Sequence, residues 1–147
     1  MRVIPKVRSI KISEKGIIKR ADIEFKDGLN IILGRGATGK TTVIKAFEEA
    51  IDDSPENIKV ELLSGRKLED MPSKERCMLP IEGVAFSNRC FLMDGEFGGL
   101  SSEQLNKALK LLAKTDNQVI ATLRDRHFKL PQINVNVINT ADFELRD

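Results

Sequence analysis

Residues 31–42 read Ile-Ile-Leu-Gly-Arg-Gly-Ala-Thr-Gly-Lys-Thr-Thr, and this stretch decides the fold. Gly34 to Thr41 match the pattern G-x-x-x-x-G-K-[ST] at every fixed position. The apolar residues before it predict a strand, and the apolar spacing of residues 43–50 predicts a helix. A loop of small residues between a strand and a helix exposes backbone N–H groups that bind phosphate. The stretch therefore predicts a nucleotide site made of Gly34, Arg35, Gly36, Ala37, Thr38, Gly39, Lys40, Thr41 and Thr42.

Two side chains of this loop, and one acid further along the chain, are assigned to the phosphates and to magnesium. Lys40 is expected to reach the terminal phosphates, and the hydroxyl of Thr41 to bind Mg²⁺. Such sites need a second acid at the end of a neighbouring buried strand. Asp94 follows the apolar run Cys90–Met93, so we expect it to hold Mg²⁺ through a water. Taken without the loop, Asp94 would simply end a strand.

The composition suits one globular domain. The chain has 147 residues, of which 41% are hydrophobic and 31% charged, and no apolar run approaches the roughly 20 residues of a membrane span. Its first residues predict no signal peptide. Cys77 and Cys90 have no metal-like spacing, which predicts two buried, reduced thiols in a cytoplasmic protein. A net charge of +2 neither favours nor excludes nucleic acid.

Local patterns predict a mixed α/β sheet. Strands are expected at 2–12 and 17–25, with Asp27-Gly28 as a hairpin turn into a third strand at 29–33. Ser101 and Gln104 have capping-box spacing, which predicts a helix from there to Lys114. A closing hairpin is expected around Asn139-Thr140. The remaining elements are a helix at 40–51 and strands at 58–63, 90–93, 119–123, 133–138 and 143–145.

The residues after the predicted magnesium ligand narrow the class. They read Asp94-Gly95-Glu96-Phe97-Gly98-Gly99-Leu100-Ser101, which resembles the D-E-P-F-x-x-L-D segment of ATP-binding-cassette ATPases. Residues 10–33 are similar to the N-terminal sheet of the structural-maintenance-of-chromosomes and RecF-like group of that family. The resemblance covers nearly the whole chain, but the coiled-coil arm inserted mid-sequence in that group is absent. It implies a single P-loop nucleotide-binding domain, residues 1–147, with ATP and Mg²⁺ as cofactors.

The resemblance also implies a dimer. Family members sandwich two nucleotides between subunits, and each nucleotide meets the partner's L-S-G-G-[QE] signature. At the matching distance before Asp94 this chain has Met71-Pro72-Ser73-Lys74-Glu75-Arg76, which keeps a serine and an acid but neither glycine. Ser73 is either the signature serine or the cap of a short helix in a charged loop. The partner would be a second copy or another ATPase subunit.

Two hydrolytic positions depart from the family pattern. The family places a glutamate directly after the magnesium aspartate, whereas here Gly95 intervenes and Glu96 comes one residue later. Glu96 is the candidate catalytic base provided that the chain has left strand geometry at Gly95. In place of the family's γ-phosphate-sensing histidine stands Arg124, a second candidate catalytic residue that would hold the same phosphate. His127 lies three residues after Arg124 and is expected in an exposed loop.

The sequence leaves three functions open. The first is an MgATP-dependent ATPase that dimerises and hydrolyses slowly or with a partner. The second is a nucleotide-gated subunit that does not hydrolyse, and the third is a small kinase whose lid would be Arg124-Asp125-Arg126. DNA binding is implied by the resemblance alone. Its candidate surface is the basic face of the N-terminal strands, which equally fits an ordinary solvated sheet: Lys6, Arg8, Lys11, Lys15, Lys19 and Arg20.

Overall fold

The computed structural model describes residues 1–79, 85–124 and 134–146. These form a mixed α/β structure with two sheets and two helices longer than one turn. The strands are β1 (Arg2–Ile4), β2 (Val7–Lys15), β3 (Ile18–Glu24), β4 (Leu29–Gly34), β5 (Ile58–Leu62), β6 (Cys90–Met93), β7 (Gln118–Arg124), β8 (Val135–Asn139) and β9 (Glu144–Leu145). The helices are α1 (Lys40–Asp52) and α2 (Ser102–Ala113), and both are confirmed where local patterns predict them.

The larger sheet has five strands in the order β1-β6-β7-β4-β8. β6, β7, β4 and β8 run parallel, whereas β1 is antiparallel to β6, so the expected mixed sheet is confirmed. The central strands β4 and β7 are buried along almost their whole length. Continuous burial is typical of parallel strands that are covered on both faces.

The smaller sheet is antiparallel, in the order β5-β2-β3-β9. β2 and β3 pair as predicted, from Ser9 opposite Glu24 to Lys15 opposite Ile18. Helix α1 contacts strands of both sheets, and one apolar cluster joins it to them through residues such as Phe47, Ile10 and Ile120. Helix α2 covers the opposite face of the larger sheet. The alternation of side chains along β7 explains this division, since Ile120 lies in the first cluster and Val119 and Ala121 in the second.

The hairpin predicted at Asp27-Gly28 is wrong. β3 and β4 belong to different sheets, so the chain crosses between sheets at this point instead of folding back on its neighbour. Gly28 has a φ of 115°, and the turn chemistry was therefore recognised correctly. The turn signal does not specify which strand the next segment will pair with.

The closing hairpin predicted for the C-terminal part is also wrong. β8 runs parallel to β4 in the larger sheet, and β9 pairs with β3 in the smaller one. The Asn139 side chain accepts a hydrogen bond from the Ala141 N–H and starts a short 3-10 turn, Thr140–Asp142. This turn connects β8, at an edge of the larger sheet, with β9, at an edge of the smaller sheet.

The two thiols differ in environment. Cys90 is fully buried as predicted, and burial raises the pKa of its thiol, so it stays protonated. Cys77 is only partly buried, with its Sγ 3.9 Å from an Arg2 guanidinium nitrogen, so full burial is wrong for this residue. Among the described residues, no helix is long and apolar enough to cross a membrane.

Candidate functional site

The candidate site lies at the carboxyl ends of three adjacent parallel strands. Gly34 at the end of β4 is in register with Arg124 at the end of β7. Met93 at the end of β6 is in register with Ala121, which puts Asp94 beside Thr122. Ligands of open α/β sheets bind in the crevice outside such strand ends. The register alone therefore brings the loop, the acid and the arginine to one edge.

The loop has the backbone shape that its small residues permit. Ala37 and Gly39 have φ values of 59° and 107°, both in the left-handed region. Gly39 is the N-cap of α1, so the first turn of this 13-residue helix points its free N–H groups toward the loop. Successive N–H groups in such a turn, at the positive end of a helix, form an anion-binding concavity.

The C-terminal segment contacts the loop through a hydrogen bond between two threonines. Thr140, buried in the turn after β8, donates a hydrogen bond of 2.9 Å to Thr38 Oγ1, which in turn donates to the Arg35 carbonyl at 2.6 Å. A Cβ added to Gly34 would lie 2.1 Å from Thr140 Oγ1. Gly34 is therefore required by close packing. Thr140 was not recognised from the sequence, which showed it only as part of a turn.

Two further loop residues have specific contacts. The Lys40 ammonium donates to the Arg35 carbonyl at 2.5 Å, so the side chain folds back over the loop. Thr42 packs its methyl group against the β2–β3 turn, where a Cβ on Gly16 would lie 3.2 Å from Thr42 Cγ2. Thr42 thus ties the first turn of α1 to the smaller sheet.

The predicted magnesium ligands lie together. Thr41 Oγ1 is 3.4 Å from Asp94 Oδ1, although the two residues are 53 positions apart. The same carboxylate oxygen accepts a 2.7 Å hydrogen bond from Thr122 Oγ1, and Thr122 accepts one of 3.2 Å from the Gly95 N–H. A carboxylate and a hydroxyl are hard oxygen donors of the kind that Mg²⁺ selects, so this pair fits the ion. Thr122 was not assigned a role from the sequence, and its one signal was a polar residue inside an apolar strand.

The candidate base follows a break in strand geometry. β6 ends at Met93, and Gly95 has a φ of 83°, so the chain has left the strand before Glu96. This meets the condition under which Glu96 was considered. Its carboxylate lies 3.3 Å from the Met1 ammonium, and about a third of the side chain is exposed. Among the described residues, the carboxylate of Glu96 therefore takes part in an ion pair.

Arg124 faces the loop. It is the last residue of β7, and its Nη2 lies 3.6 Å from the position of a Cβ on Gly36. A guanidinium here overlooks the concavity that the loop forms. Asp125, Arg126 and His127 lie outside the described residues, so the lid and loop hypotheses for them stay predictions.

Ser73 lies far from the loop of its own chain. It begins a short 3-10 turn, Ser73–Glu75, whose N-cap is Pro72, so the alternative of a helix cap at Ser73 is wrong. Arg76 holds this segment to the last turn of α1 by donating to Ser54 Oγ at 2.6 Å and to the Ile51 carbonyl at 3.4 Å. The loop is at the other end of α1, about 20 Å away at about 1.5 Å per helical residue.

The candidate nucleic-acid surface carries interleaved acids. Four of its six cations form ion pairs, one of which, Lys15 with Glu49, joins β2 to α1. The other three pairs are Lys6–Asp27 at 2.9 Å, Lys19–Glu144 at 3.3 Å and Arg20–Asp22 at 3.2 Å. Pairing of this kind is typical of a solvated sheet face, and it weakens the field that would attract a phosphate backbone.

No protein-family model matches this chain, and no curated protein matches its sequence. The site is therefore interpreted from its motif and its geometry.

Proposed function

We propose that this chain binds MgATP in the loop from Gly34 to Thr42 and acts as an ATP-binding-cassette type ATPase. The observation that carries the proposal is the approach of Asp94 Oδ1 to Thr41 Oγ1, at 3.4 Å across 53 residues. A chance match to the loop pattern gives no reason for an acid at the neighbouring strand end to reach that threonine. The pairing is what a magnesium–phosphate site requires.

The residues of the chain have separate tasks in binding. The loop N–H groups and the N-terminal end of α1 hold the phosphate oxygens, and Lys40 leaves the Arg35 carbonyl for the terminal phosphates. Thr41 and Asp94 hold the metal, Asp94 through a water. Mg²⁺, when bound, neutralises charge on the terminal phosphates. Arg124 contributes a permanent positive charge on the γ-phosphate side of the loop.

Hydrolysis is proposed to be slow or dependent on a partner. Glu96 is the candidate base for the attacking water, and Arg124 stabilises the charge that develops on the phosphate. Loss of one such stabilising group costs about 10²–10³ in rate. The displacement of Glu96 by one residue, with Gly95 directly after Asp94, also favours the second candidate function, a nucleotide-gated subunit that binds without cleaving.

The proposed assembly is a dimer formed on ATP, with a second copy or another ATPase subunit. Arg76 ties the segment that holds Ser73 to the end of α1 opposite the loop of its own chain, whereas the same segment of a partner can approach that loop. DNA is retained as a proposed partner on the resemblance alone. A cytoplasmic location likewise remains a proposal.

Equilibrium dialysis with labelled ATP tests the site. Lys40→Ala should weaken ATP binding by about 10- to 100-fold, because charge-assisted hydrogen bonds contribute about 1.5–3 kcal/mol. Lys45→Ala is the matched control, since Lys45 is an exposed lysine of the same helix. Asp94→Asn should reduce affinity in Mg²⁺ and leave affinity in EDTA almost unchanged. Equal affinities for wild type, Lys40→Ala and Asp94→Asn under both conditions would overturn the proposal.

Phosphate release from bound ATP then separates the candidate functions. Slow release that Glu96→Gln abolishes supports an ATPase with Glu96 as its base. Binding without release supports the nucleotide-gated subunit. Transfer of phosphate to an added nucleoside or metabolite would support a kinase instead.

A further inference from the structure

Thr122 places a buried hydroxyl directly behind the candidate metal ligand. The residue lies near the end of β7 and is 5% exposed. Its Oγ1 is 2.7 Å from Asp94 Oδ1 and 3.2 Å from the Gly95 amide nitrogen. One side chain of β7 therefore contacts both the carboxylate that follows β6 and the backbone that leaves that strand.

The hydrogen-bond inventory sets the direction of these contacts. A threonine hydroxyl has one proton to donate and lone pairs to accept with. The Gly95 N–H is a donor only, so the Thr122 oxygen accepts from it and the hydroxyl proton goes to Asp94. A hydroxyl oriented in this way favours one rotamer of the exposed Asp94 carboxylate. This rotamer is the one in which Asp94 also meets Thr41.

We propose, on the basis of the proposed MgATP site, that Thr122 is a positioning residue for Asp94. It holds the carboxylate toward Thr41 and fixes the turn at Gly95, where the chain leaves the strand with a φ of 83°. Hydrogen-bonding partners behind metal ligands alter metal affinity by about 10- to 100-fold when they are removed. Thr122 accordingly acts on the magnesium dependence of nucleotide binding, through Asp94.

The test compares Thr122→Val, which removes the hydroxyl, with Thr122→Ser, which keeps it. The measurement is the ratio of the ATP dissociation constants in EDTA and in Mg²⁺. We expect this ratio to fall about tenfold in Thr122→Val and to stay near wild type in Thr122→Ser. ATP affinity in EDTA should be the same in all three proteins, because the loop itself is intact.

A purely structural role predicts a different result. It would lower the unfolding midpoint of Thr122→Val and leave the affinity ratio of the folded protein unchanged, and that outcome overturns the inference. A fall of this affinity ratio in Thr122→Ser as large as the fall in Thr122→Val also overturns the inference. Thr122→Ala, which removes the hydroxyl without filling its space, gives the same reading if the valine variant does not fold. If the ATP affinity of the wild type is the same in Mg²⁺ and in EDTA, that result would instead contradict the proposed function.

Discussion

At the scale of single residues, polar side chains of the site are held by partners from other elements of the fold. Asp94 is held by Thr122 of the neighbouring strand, and Thr38 of the loop by Thr140 of the C-terminal turn. Each of these contacts restricts a short side chain with few rotamers. Binding a phosphate or a metal therefore requires little further ordering of these groups.

Arg124 should favour the triphosphate over the diphosphate. Its guanidinium overlooks Gly36 from β7, and in the proposed site it would meet the γ-phosphate that ADP lacks. We expect Arg124→Ala to reduce the preference for ATP over ADP by about tenfold, which corresponds to about 1.4 kcal/mol. Competition of ATP and ADP for a labelled nucleotide measures this preference. Arg66→Ala, at an exposed position of the smaller sheet's end, is the control, and an unaltered preference in Arg124→Ala would count against the assignment.

Gly34 should not tolerate even a methyl group. A Cβ there would lie 2.1 Å from Thr140 Oγ1 and 2.8 Å from Thr38 Oγ1, both in hydrogen bonds that shape the loop. We expect Gly34→Ala to lower the free energy of unfolding by about 1–3 kcal/mol, as overpacking does. Gly99→Ala, where a Cβ meets nothing within 4 Å, should change it by less than about 0.5 kcal/mol. Urea denaturation of both variants provides the comparison, and equal midpoints would refute the packing argument.

At the scale of elements, α1 connects the two features that the family resemblance singles out. Its first turn follows the phosphate loop, and its last turn receives Arg76, which holds the segment containing Ser73. Its buried residues pack against both sheets, with Phe47 fully buried and its ring centroid 5.9 Å from that of Phe25. The helix therefore connects the loop from Gly34 to Thr42 with the segment that contains Ser73.

Helix α2 depends on its capping box. Ser101 Oγ accepts from the Gln104 N–H at 3.2 Å, and Gln104 Oε1 accepts from the Ser101 N–H at 3.0 Å. Ser101→Ala should cost about 1 kcal/mol of stability, because it leaves the Gln104 N–H without its partner. Ser102→Ala, one residue later and outside the box, is the matched control and should cost less than about 0.5 kcal/mol. Chemical unfolding measures both, and a larger loss for Ser102→Ala would exclude the cap as the cause.

At the scale of the whole molecule, a buried amide adds hydrogen bonds to the apolar contacts that join the two sheets. Gln118 at the start of β7 accepts from the Val7 N–H and donates to the Val7 carbonyl, both at 2.7 Å, and it donates to the Lys26 carbonyl at 2.9 Å. These contacts satisfy backbone groups of β2 and of the segment between β3 and β4 from within the larger sheet. Buried backbone groups left without such partners cost about 1–3 kcal/mol each, so the relative placement of the sheets is specific.

The distance between the loop and Ser73 predicts an assembly that forms on ATP. In the proposed ATPase, the Ser73 segment of one chain meets the nucleotide bound in the loop of its partner. We expect Glu96→Gln with MgATP to sediment at twice the chain mass of 16.5 kDa. Lys40→Ala should remain a monomer under the same conditions because it binds ATP weakly. A monomer for wild type and Glu96→Gln at saturating MgATP would contradict the proposed dimer.

Local elements were predictable because their determinants lie within a few residues. The Ser101 and Gln104 pair starts α2, and the small residues before Lys40 start α1. The strand pairings at Asp27-Gly28 and Asn139-Thr140 were not predictable, since a turn does not specify its strand's partner. At the site, the loop and Asp94 carry recognisable patterns. Thr122 and Thr140 do not, because their roles arise from neighbours 28 and 102 residues away.

The sequence by itself determined the small-residue loop, the two helix starts and an acid at the end of an apolar strand. The tertiary structure decided which of these meet. Strand order puts β7 between β6 and β4, so Asp94 comes within 3.4 Å of Thr41 and Arg124 lies in register with Gly34. The physical reason is that caps and turns are governed by backbone hydrogen bonds over a few residues. Contacts between strand ends depend on burying both faces of the sheet at once, which only the whole chain accomplishes.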